Sequence, residues 1–154
     1  MANADDLRVL RTGIAAWNEW RSIHGERYLD LSCVDLTSDG FPYMCGDPDD
    51  PYDGYLEGVV FRQTNLAGAR LDDICIRDAS FEAADLEGAD LSGSTFVRVT
   101  FRGANLLASD LRWAKFVGSD LNEANLARAQ LEGATVDGVS LEAFLKRNQC
   151  NPLR

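Results

Sequence analysis

The sequence predicts an all-β solenoid, a chain wound into stacked coils, and three observations carry that prediction. From Phe61 to Leu141 every fifth residue is Phe, Leu, Ile or Val, seventeen in succession. Two residues before each of these stands a second, smaller series that is mostly Ala, Ser, Thr or Val. The period itself is the third: five fits neither a helical face nor a strand face, which repeat at about 3.6 and about 2 residues. A short unit repeated this strictly buries its apolar side by stacking coil on coil.

The units are alike in more than spacing. Ala84-Asp85-Leu86-Glu87-Gly88, Ala89-Asp90-Leu91-Ser92-Gly93, Ala104-Asn105-Leu106 and Ala124-Asn125-Leu126 share a small residue, then Asp or Asn, then a large apolar residue. This unit resembles that of the pentapeptide-repeat proteins, and the resemblance covers a little over half the chain. It implies a right-handed quadrilateral β-helix in which each pentapeptide forms one side and four form a coil, with both apolar series pointing inward. A square section requires residues about twenty apart to stack. One column then reads Phe61, Phe81, Phe101, Leu121, Leu141, and its neighbour Ile76, Phe96, Phe116, Val136. The other two, Leu66, Leu86, Leu106, Leu126 and Leu71, Leu91, Leu111, Leu131, are pure leucine. Period twenty thus separates residue types that period five leaves mixed. Phe61, Phe81, Phe96, Phe101, Phe116, Leu86, Leu91, Leu106 and Leu111 are the expected structural core, each contributing roughly 1.5–3 kcal/mol when fully buried.

Three parts follow: a helical cap over residues 1–27, the β-helix over 28–141 with an acidic excursion at about 38–56, and a C-terminal cap over 142–154. Leu7, Leu10, Ile14 and Trp17, spaced by three and four, predict one helix over about 5–24, started by Asp5 or Asp6 and stopped by Gly25. The end of a β-helix leaves strand edges unpaired and the core open, so an amphipathic cover is expected there. Trp17-Asn18-Glu19-Trp20-Arg21 resembles a segment at the front of many bacterial pentapeptide-repeat proteins, to which no function attaches. His24 reads as a helix-end residue rather than a ligand. Asp30-Leu31 and Val34-Asp35-Leu36 resemble two early repeats in phase with the main run. The pattern then fails from Asp39 to Gly58, where Asp39, Asp47, Asp49, Asp50, Asp53 and Glu57 stand without a base, and repeats resume near Leu56. Loops longer than ~12–15 residues are usually functional or disordered. Asp47-Pro48-Asp49-Asp50-Pro51-Tyr52 places Pro and Tyr where an EF-hand loop needs Asp or Asn and Gly, so a solvated acidic loop is the expectation. At the far end Ser140 offers an N-cap to a short amphipathic stretch of Leu141, Phe144 and Leu145, with Asn148 and Pro152 as stops. A plain cap is favoured there over a dimer contact through Phe144, the role that C-terminal aromatics play in the relatives that protect topoisomerases.

A chain of 154 residues suits one domain. No apolar stretch approaches the ~20 residues that cross a bilayer. Met1-Ala2-Asn3-Ala4-Asp5-Asp6 is acidic where a secretory signal would be basic, so a soluble, cytoplasmic protein with no membrane association is expected. The net charge of −10 argues against direct nucleic-acid binding, which would show a basic footprint. Residues 1–60 carry −8 of it and residues 61–141 only −4, while 142–154 return +2. Cys33, Cys45, Cys75 and Cys150 form no C-x-x-C pair and His24 is the only histidine, so free thiols are expected, with no structural zinc and no cofactor.

Catalytic patterns such as G-x-S-x-G, Walker A or H-E-x-x-H do not occur. Paired carboxylates such as Asp72 and Asp73 would stand on a convex rod without a cleft to raise a pKa. Asp85, Asp90, Asp110 and Asp120 occupy the repeat position where such side chains suit a turn. The expected function is therefore a non-enzymatic scaffold, monomer or homodimer, presenting flat faces to a protein partner that the sequence does not name. The alternative is a DNA mimic protecting a type II topoisomerase, as quinolone-resistance members of the family do. A mimic needs long carboxylate rows with few cations. The outward column Arg62, Glu82, Arg102, Asn122, Glu142 alternates in sign instead, and at a coil spacing of about 4.8 Å it offers cross-strand pairs of about 0.2–1 kcal/mol. Arg70, Asp90, Asp110, Gln130 comes nearest to an acidic row and is short.

One place reads as an interaction surface. Val97 and Val117 take equivalent outward positions one coil apart, Trp113 stands at the corner leading into that side, and Lys115 just precedes Val117. Leu107 is outward on a more distant side. Single apolar surface residues are ordinary; a cluster that includes a Trp has the composition of a contact.

Overall fold

The structure, a computed structural model, describes residues 3–25, 28–37 and 56–147. From Leu56 the pentapeptides wind into a β-solenoid of about four turns with helices at both ends. On one side β2 (Leu56–Glu57), β4 (Cys75–Arg77), β5 (Thr95–Val97), β6 (Lys115–Val117) and β7 (Thr135–Val136) stack as parallel strands. Their register advances by twenty: Ile76 lies beside Phe96, Phe96 beside Phe116, and Phe116 beside Val136. The other sides keep the same offset through single bridges such as Val60 to Ser80, Asn65 to Asp85 and Arg70 to Asp90. The section is four-sided because the backbone turns a corner every five residues.

Each corner has a local cause. Every fifth residue from Gly58 to Gly138 adopts a left-handed conformation, including Ala83 at φ 52° and Trp113 at φ 62°. That region costs an L-residue roughly 1–2 kcal/mol, and a side-chain hydrogen bond helps to hold it. Asp90 Oδ1 accepts from the Ser92 N–H at 3.0 Å, Asp110 Oδ1 from Arg112 at 3.0 Å and Asp120 Oδ1 from Asn122 at 2.9 Å. Asp85 does the same for Glu87. These carboxylates build turns, as their position in the repeat predicts.

The nine expected core residues are all fully buried. Phe81 lies 5.3 Å from Phe61 and 5.0 Å from Phe101, while Phe96 and Phe116 stack at 5.1 Å in the next column. The columns meet edge-on, Phe96 against Phe101 at 5.1 Å. Offset stacks and edge contacts are the favoured aromatic geometries.

The early repeats join the wall in phase but at an offset of 35 residues. β1 (Leu29–Asp30) pairs with β3 (Thr64–Asn65), and Asp35 bridges to Arg70. The Leu31 N–H donates to Asn65 O at 2.8 Å and the Leu36 N–H to Arg70 O at 3.0 Å, so both leucine ladders gain a rung. The acidic excursion, apart from its end at Leu56–Glu57, lies outside the described residues, and so does the reading made of it.

The N-terminal helix differs from expectation in two ways. It is two helices, α1 (Ala4–Arg11) and α2 (Ile14–His24), because Gly13 at φ 122° breaks the chain and Thr12 Oγ1 closes α1 by donating to Val9 O at 2.6 Å. The cap is Asn3 rather than Asp5 or Asp6: its Oδ1 accepts from the Asp5 and Asp6 N–H groups at 2.9 and 3.4 Å. Gly25 ends α2 as expected.

Side chains of α2 finish the first coil. Asn18 Nδ2 donates to Gly58 O at 2.7 Å while its Oδ1 accepts from the Val60 N–H at 3.0 Å. Trp17 Nε1 donates to Val60 O at 2.8 Å, and Arg21 donates to Arg62 O. The fully buried Trp17 ring, 5.8 Å from Phe61, forms the top rung of the phenylalanine column. At the other end the chain folds back. Asp137 and Gly138, at φ 47° and 77°, turn it into β8 (Val139–Ser140), antiparallel to β7. Helix α3 (Leu141–Arg147) then buries Leu141 and Leu145 over the core, with Phe144 packed partly buried against it.

Candidate interaction surface

Most of the outside is tied up in its own ladders. Down one column Asn65 Nδ2 donates to Asp30 Oδ1 at 3.2 Å, Asn105 to Asp85 at 2.9 Å and Asn125 to Asn105 at 3.0 Å. The short acidic row is interrupted by guanidinium groups: Arg70 meets Asp35 at 3.2 Å and Asp72 at 3.1 Å, and Arg112 folds onto Asp110. Hydrogen bonding from Arg112 holds the Asp110 carboxyl below the ordinary carboxylate range, and Arg98 does the same for Asp78. The alternating column pairs only in part. Arg62 meets Glu82 at 3.6 Å, but Arg102 reaches forward to Glu123 at 3.1 Å instead of back to Glu82. Exposed pairs of this kind contribute about 0–1 kcal/mol each.

The side formed by β4 to β7 is different. Val97 and Val117 are register partners in adjacent strands, and so are Thr95 and Lys115. Val117 is 46 % exposed, Trp113 at the entering corner 61 %, and Val97 half-buried. The indole of Trp113 lies across Gly133 of the next coil, where an added Cβ would collide with the ring. A glycine there makes the shelf on which the ring rests. Lys115 is exposed and carries no ion pair among the described residues. Of the four residues singled out by the sequence, Val97 and Val117 are neighbours in adjacent strands and Lys115 shares β6 with Val117, while Trp113 stands outside the strand at the corner that enters it; Leu107 sits half-buried on another side. β8 follows β7 on this side, and its Val139, 38 % exposed, is the register partner of the buried Val136 and so lies on the core side of the sheet end rather than on the outward strip. Sequence reasoning missed it, although Asp137-Gly138 between two valines is a hairpin signal. At the N-terminal end Ile23 and Tyr28 are also exposed.

Among the described residues, chemistry-bearing side chains do not converge. His24 stacks on Trp20 at 4.4 Å, its Nδ1 2.9 Å from Trp20 O. Cys33 is exposed and Cys75 half-buried, both as free thiols, while Cys45 and Cys150 lie outside the described residues. Among the described residues no group of three His, Cys, Asp or Glu could hold a metal ion, and no helix is long and apolar enough to cross a membrane.

A stacked coil of twenty residues, cornered by Asp and Asn turns and filled by Phe and Leu columns, is shared with known proteins. The family model for pentapeptide repeats matches residues 54–82, 79–116 and 106–142 in 8 copies. The chain belongs to the pentapeptide-repeat family, and its fold is that family's β-helix. It is similar to HetL, a pentapeptide repeat protein involved in heterocyst differentiation regulation from the cyanobacterium Nostoc, at 26 % identity and a TM-score of 0.51. The match covers 73 % of this chain and 48 % of HetL, so the chain spans about half the length of that relative. A pentapeptide repeat protein of the Arabidopsis thaliana thylakoid lumen matches at 22 % identity and a TM-score of 0.39, over 77 % of this chain and 74 % of its own. QnrB1, a plasmid-mediated fluoroquinolone resistance protein, matches at 16 % identity and a TM-score of 0.31, over 64 % and 56 %. Among curated proteins none matches the sequence.

Proposed function

We propose that this chain is a non-enzymatic scaffold that binds a protein partner through the flat side of β4 to β7, centred on Trp113, Val117 and Val97 with Lys115 beside them. The observation that carries this reading is the exposure of Val117 on a regular sheet face together with that of Trp113 at the corner entering it, next to columns in which many polar groups are already paired. Trp is enriched among binding hot spots, and clustered apolar surface marks contacts. The likeness to HetL, a protein involved in regulating differentiation, fits a binding role and supplies no partner. Mimicry of DNA has less support, because Arg70 and Arg112 neutralise the one acidic row.

Capture of partners by the wild type and by a Trp113→Ser/Val117→Thr double variant tests the reading. Neither side chain fills the core, so the variant should melt within a few degrees of the wild type and lose the partner. Retention of every partner would reduce this side to ordinary surface. A gyrase supercoiling assay with and without a quinolone addresses mimicry, and no effect at micromolar excess removes it.

A further inference from the structure

We infer that the rim of the last coil on its two leucine sides, from Ala124 to Gly133, binds an extended acidic segment of a partner protein. This site is separate from the side of β4 to β7 and does not depend on the reading of that side.

The main chain gives the solenoid a direction along its axis. In the inner coils the N–H of each core residue, and that of the corner residue two places on, donates to a carbonyl of the following coil. Leu106 donates to Asn125 O at 2.8 Å, Ala108 to Ala127 O at 2.9 Å, Leu111 to Gln130 O at 2.9 Å and Trp113 to Glu132 O at 2.8 Å. Fewer bonds return: Asn125 donates to Ala104 O and Gln130 to Ser109 O, one on each side. The last coil has no full coil after it. β8 completes the end beside β7, but the N–H groups of Leu126, Arg128, Leu131 and Gly133 have no acceptor among the described residues. Of the carbonyls that the inner coils pair along this edge, only Ala124 O and Ala129 O are left over there, so donors outnumber acceptors two to one. Side chains open at the same place. Ala124, Ala129 and Leu131 are partly exposed, whereas Ala104, Ser109 and Leu111 one coil earlier are fully buried. Leu126 stays buried, so the opening runs along the rim and not down the core.

The donor excess selects the occupant. A second copy would bring the same donor-rich rim, N–H against N–H, and an ordinary strand edge offers donors and acceptors in equal number. A carboxylate offers two acceptor oxygens and no donor, and its bonds to N–H groups are charge-assisted. The chain uses that solution once itself. Asp78 and Arg98 donate to Val97 O and Val117 O, but at Gly118, the next corner in that series, the chain turns back, and the Asp137 carboxylate accepts the N–H at 2.7 Å. Nearby charge agrees. Glu123 is held by Arg102 at 3.1 Å, and Glu132 stands within electrostatic reach of Arg112. Arg128, exposed at the corner between the two sides, has no ion pair among the described residues and is placed to meet an anion. Helix α3, packed against β7 and β8, adds the exposed Glu142, Lys146 and Arg147 at this end. Ordering a flexible segment offsets much of what such bonds supply, so the contact is weak.

Amide NMR of the full chain tests this with a blocked ten-residue peptide alternating Glu and Ala, and with its Gln-for-Glu analogue. The Glu peptide should shift the amides of Leu126, Arg128, Leu131 and Gly133 together, with a dissociation constant in the high-micromolar to millimolar range. The analogue should bind at least tenfold more weakly. Arg128→Glu, at an exposed corner, should leave the melting curve unchanged and weaken the Glu peptide at least fivefold. Rim amides that stay still in millimolar peptide overturn the proposal, and so does equal binding of the two peptides or indifference to Arg128→Glu. Shifts confined to α3 place the peptide on Lys146 and Arg147 and overturn it too. If the rim amides move with protein concentration alone, a second copy covers them; if deleting residues 148–154 speeds their exchange, the chain's own tail does. Either result removes the acidic partner. Capture of partners through Trp113 and Val117 reports on the other side, so the two readings fail separately.

Discussion

The two ends of the solenoid meet the same requirement with different parts of the chain. At the N-terminal end the open strand edge is bonded by side chains: Asn18 to Gly58 and Val60, Trp17 to Val60, Arg21 to Arg62. At the C-terminal end it is bonded by main chain, since β8 folds back on β7. Each end also plugs the core, with Trp17 above Phe61 at one end and Leu141 at the other; the fold-back of β8 places Leu141 beside Ala134, whose O accepts from its N–H at 2.9 Å, and so takes it out of the phenylalanine column that its twenty-residue spacing predicts. A strand edge needs donors and acceptors in the right order, and an open core needs an apolar lid. A primary amide carries the same donor and acceptor as a peptide group, so one Asn on a helix can replace a stretch of strand. The N-terminal closure is consequently concentrated in a few side chains, whereas the C-terminal one is spread along the backbone.

Removing residues 1–25 is the most severe way to break this comparison. It exposes the Gly58–Arg62 edge and the Phe61 ring together, and end-to-end association should follow. Size-exclusion chromatography should show large species or loss of soluble protein. An unchanged, soluble monomer would mean that the helices do not close the end.

Single residues sharpen it. Asn18→Leu removes both bonds to the edge while adding apolar bulk, and it leaves Gly58 O and Val60 N–H without their partner. Part-buried orphans of this kind cost about 1–3 kcal/mol each, so thermal unfolding should shift down by several degrees. Asp137→Ala at the other end removes one side-chain bond, to the Gly118 N–H, and leaves the β7–β8 pairing in place. Its cost should stay near 1 kcal/mol. Equal losses at the two sites would undo the contrast between side-chain and main-chain closure.

The walls were legible because their causes are local and repeated. A period of five fixes which residues point inward, and an Asp or Asn before core residues such as Leu86, Leu91, Leu106 and Leu111 supports the corner, so the columns and the pairing of Val97 with Val117 one coil apart could be read in advance. The helical caps at both ends were legible too, but the detail of how the chain closes was not, for three physical reasons. Leu7, Leu10, Ile14 and Trp17 keep helical spacing across the break at Gly13, so hydrophobic period cannot reveal it. The early repeats stay in phase at an offset of 35, a multiple of five, so phase alone cannot say how far along the chain their neighbours lie. Asn18 acts through the placement of α2 over a strand edge, which no local pattern encodes. The choice of Glu123 rather than Glu82 by Arg102 likewise depends on where a long exposed side chain settles.

The smallest effect separates charge from geometry at the N-terminal end. Asp30 Oδ1 accepts from the Ser32 N–H at 3.0 Å and from Asn65 Nδ2 at 3.2 Å, so its carboxylate ties the early coil to the wall. The side-chain and then the backbone hydrogen bond from Ser32 hold this carboxyl below its ordinary value of 3.8. A carboxyl lowered in the folded state contributes stability that is complete above the unfolded value and is lost as pH falls through the folded one. Acidification below about pH 4 should therefore loosen the early coil before the rest. Amide exchange measures this: protection of the Leu31 N–H, bonded to Asn65 O, should fall at higher pH than that of the Leu86 N–H, bonded to Asn105 O. Asp30→Asn keeps an acceptor oxygen for Ser32 but has no charge to lose, so the acid step at Leu31 should vanish while protection at neutral pH changes little. If wild-type Leu31 keeps its protection down to the pH at which Leu86 loses its own, the charge of Asp30 plays no part in holding the early coil.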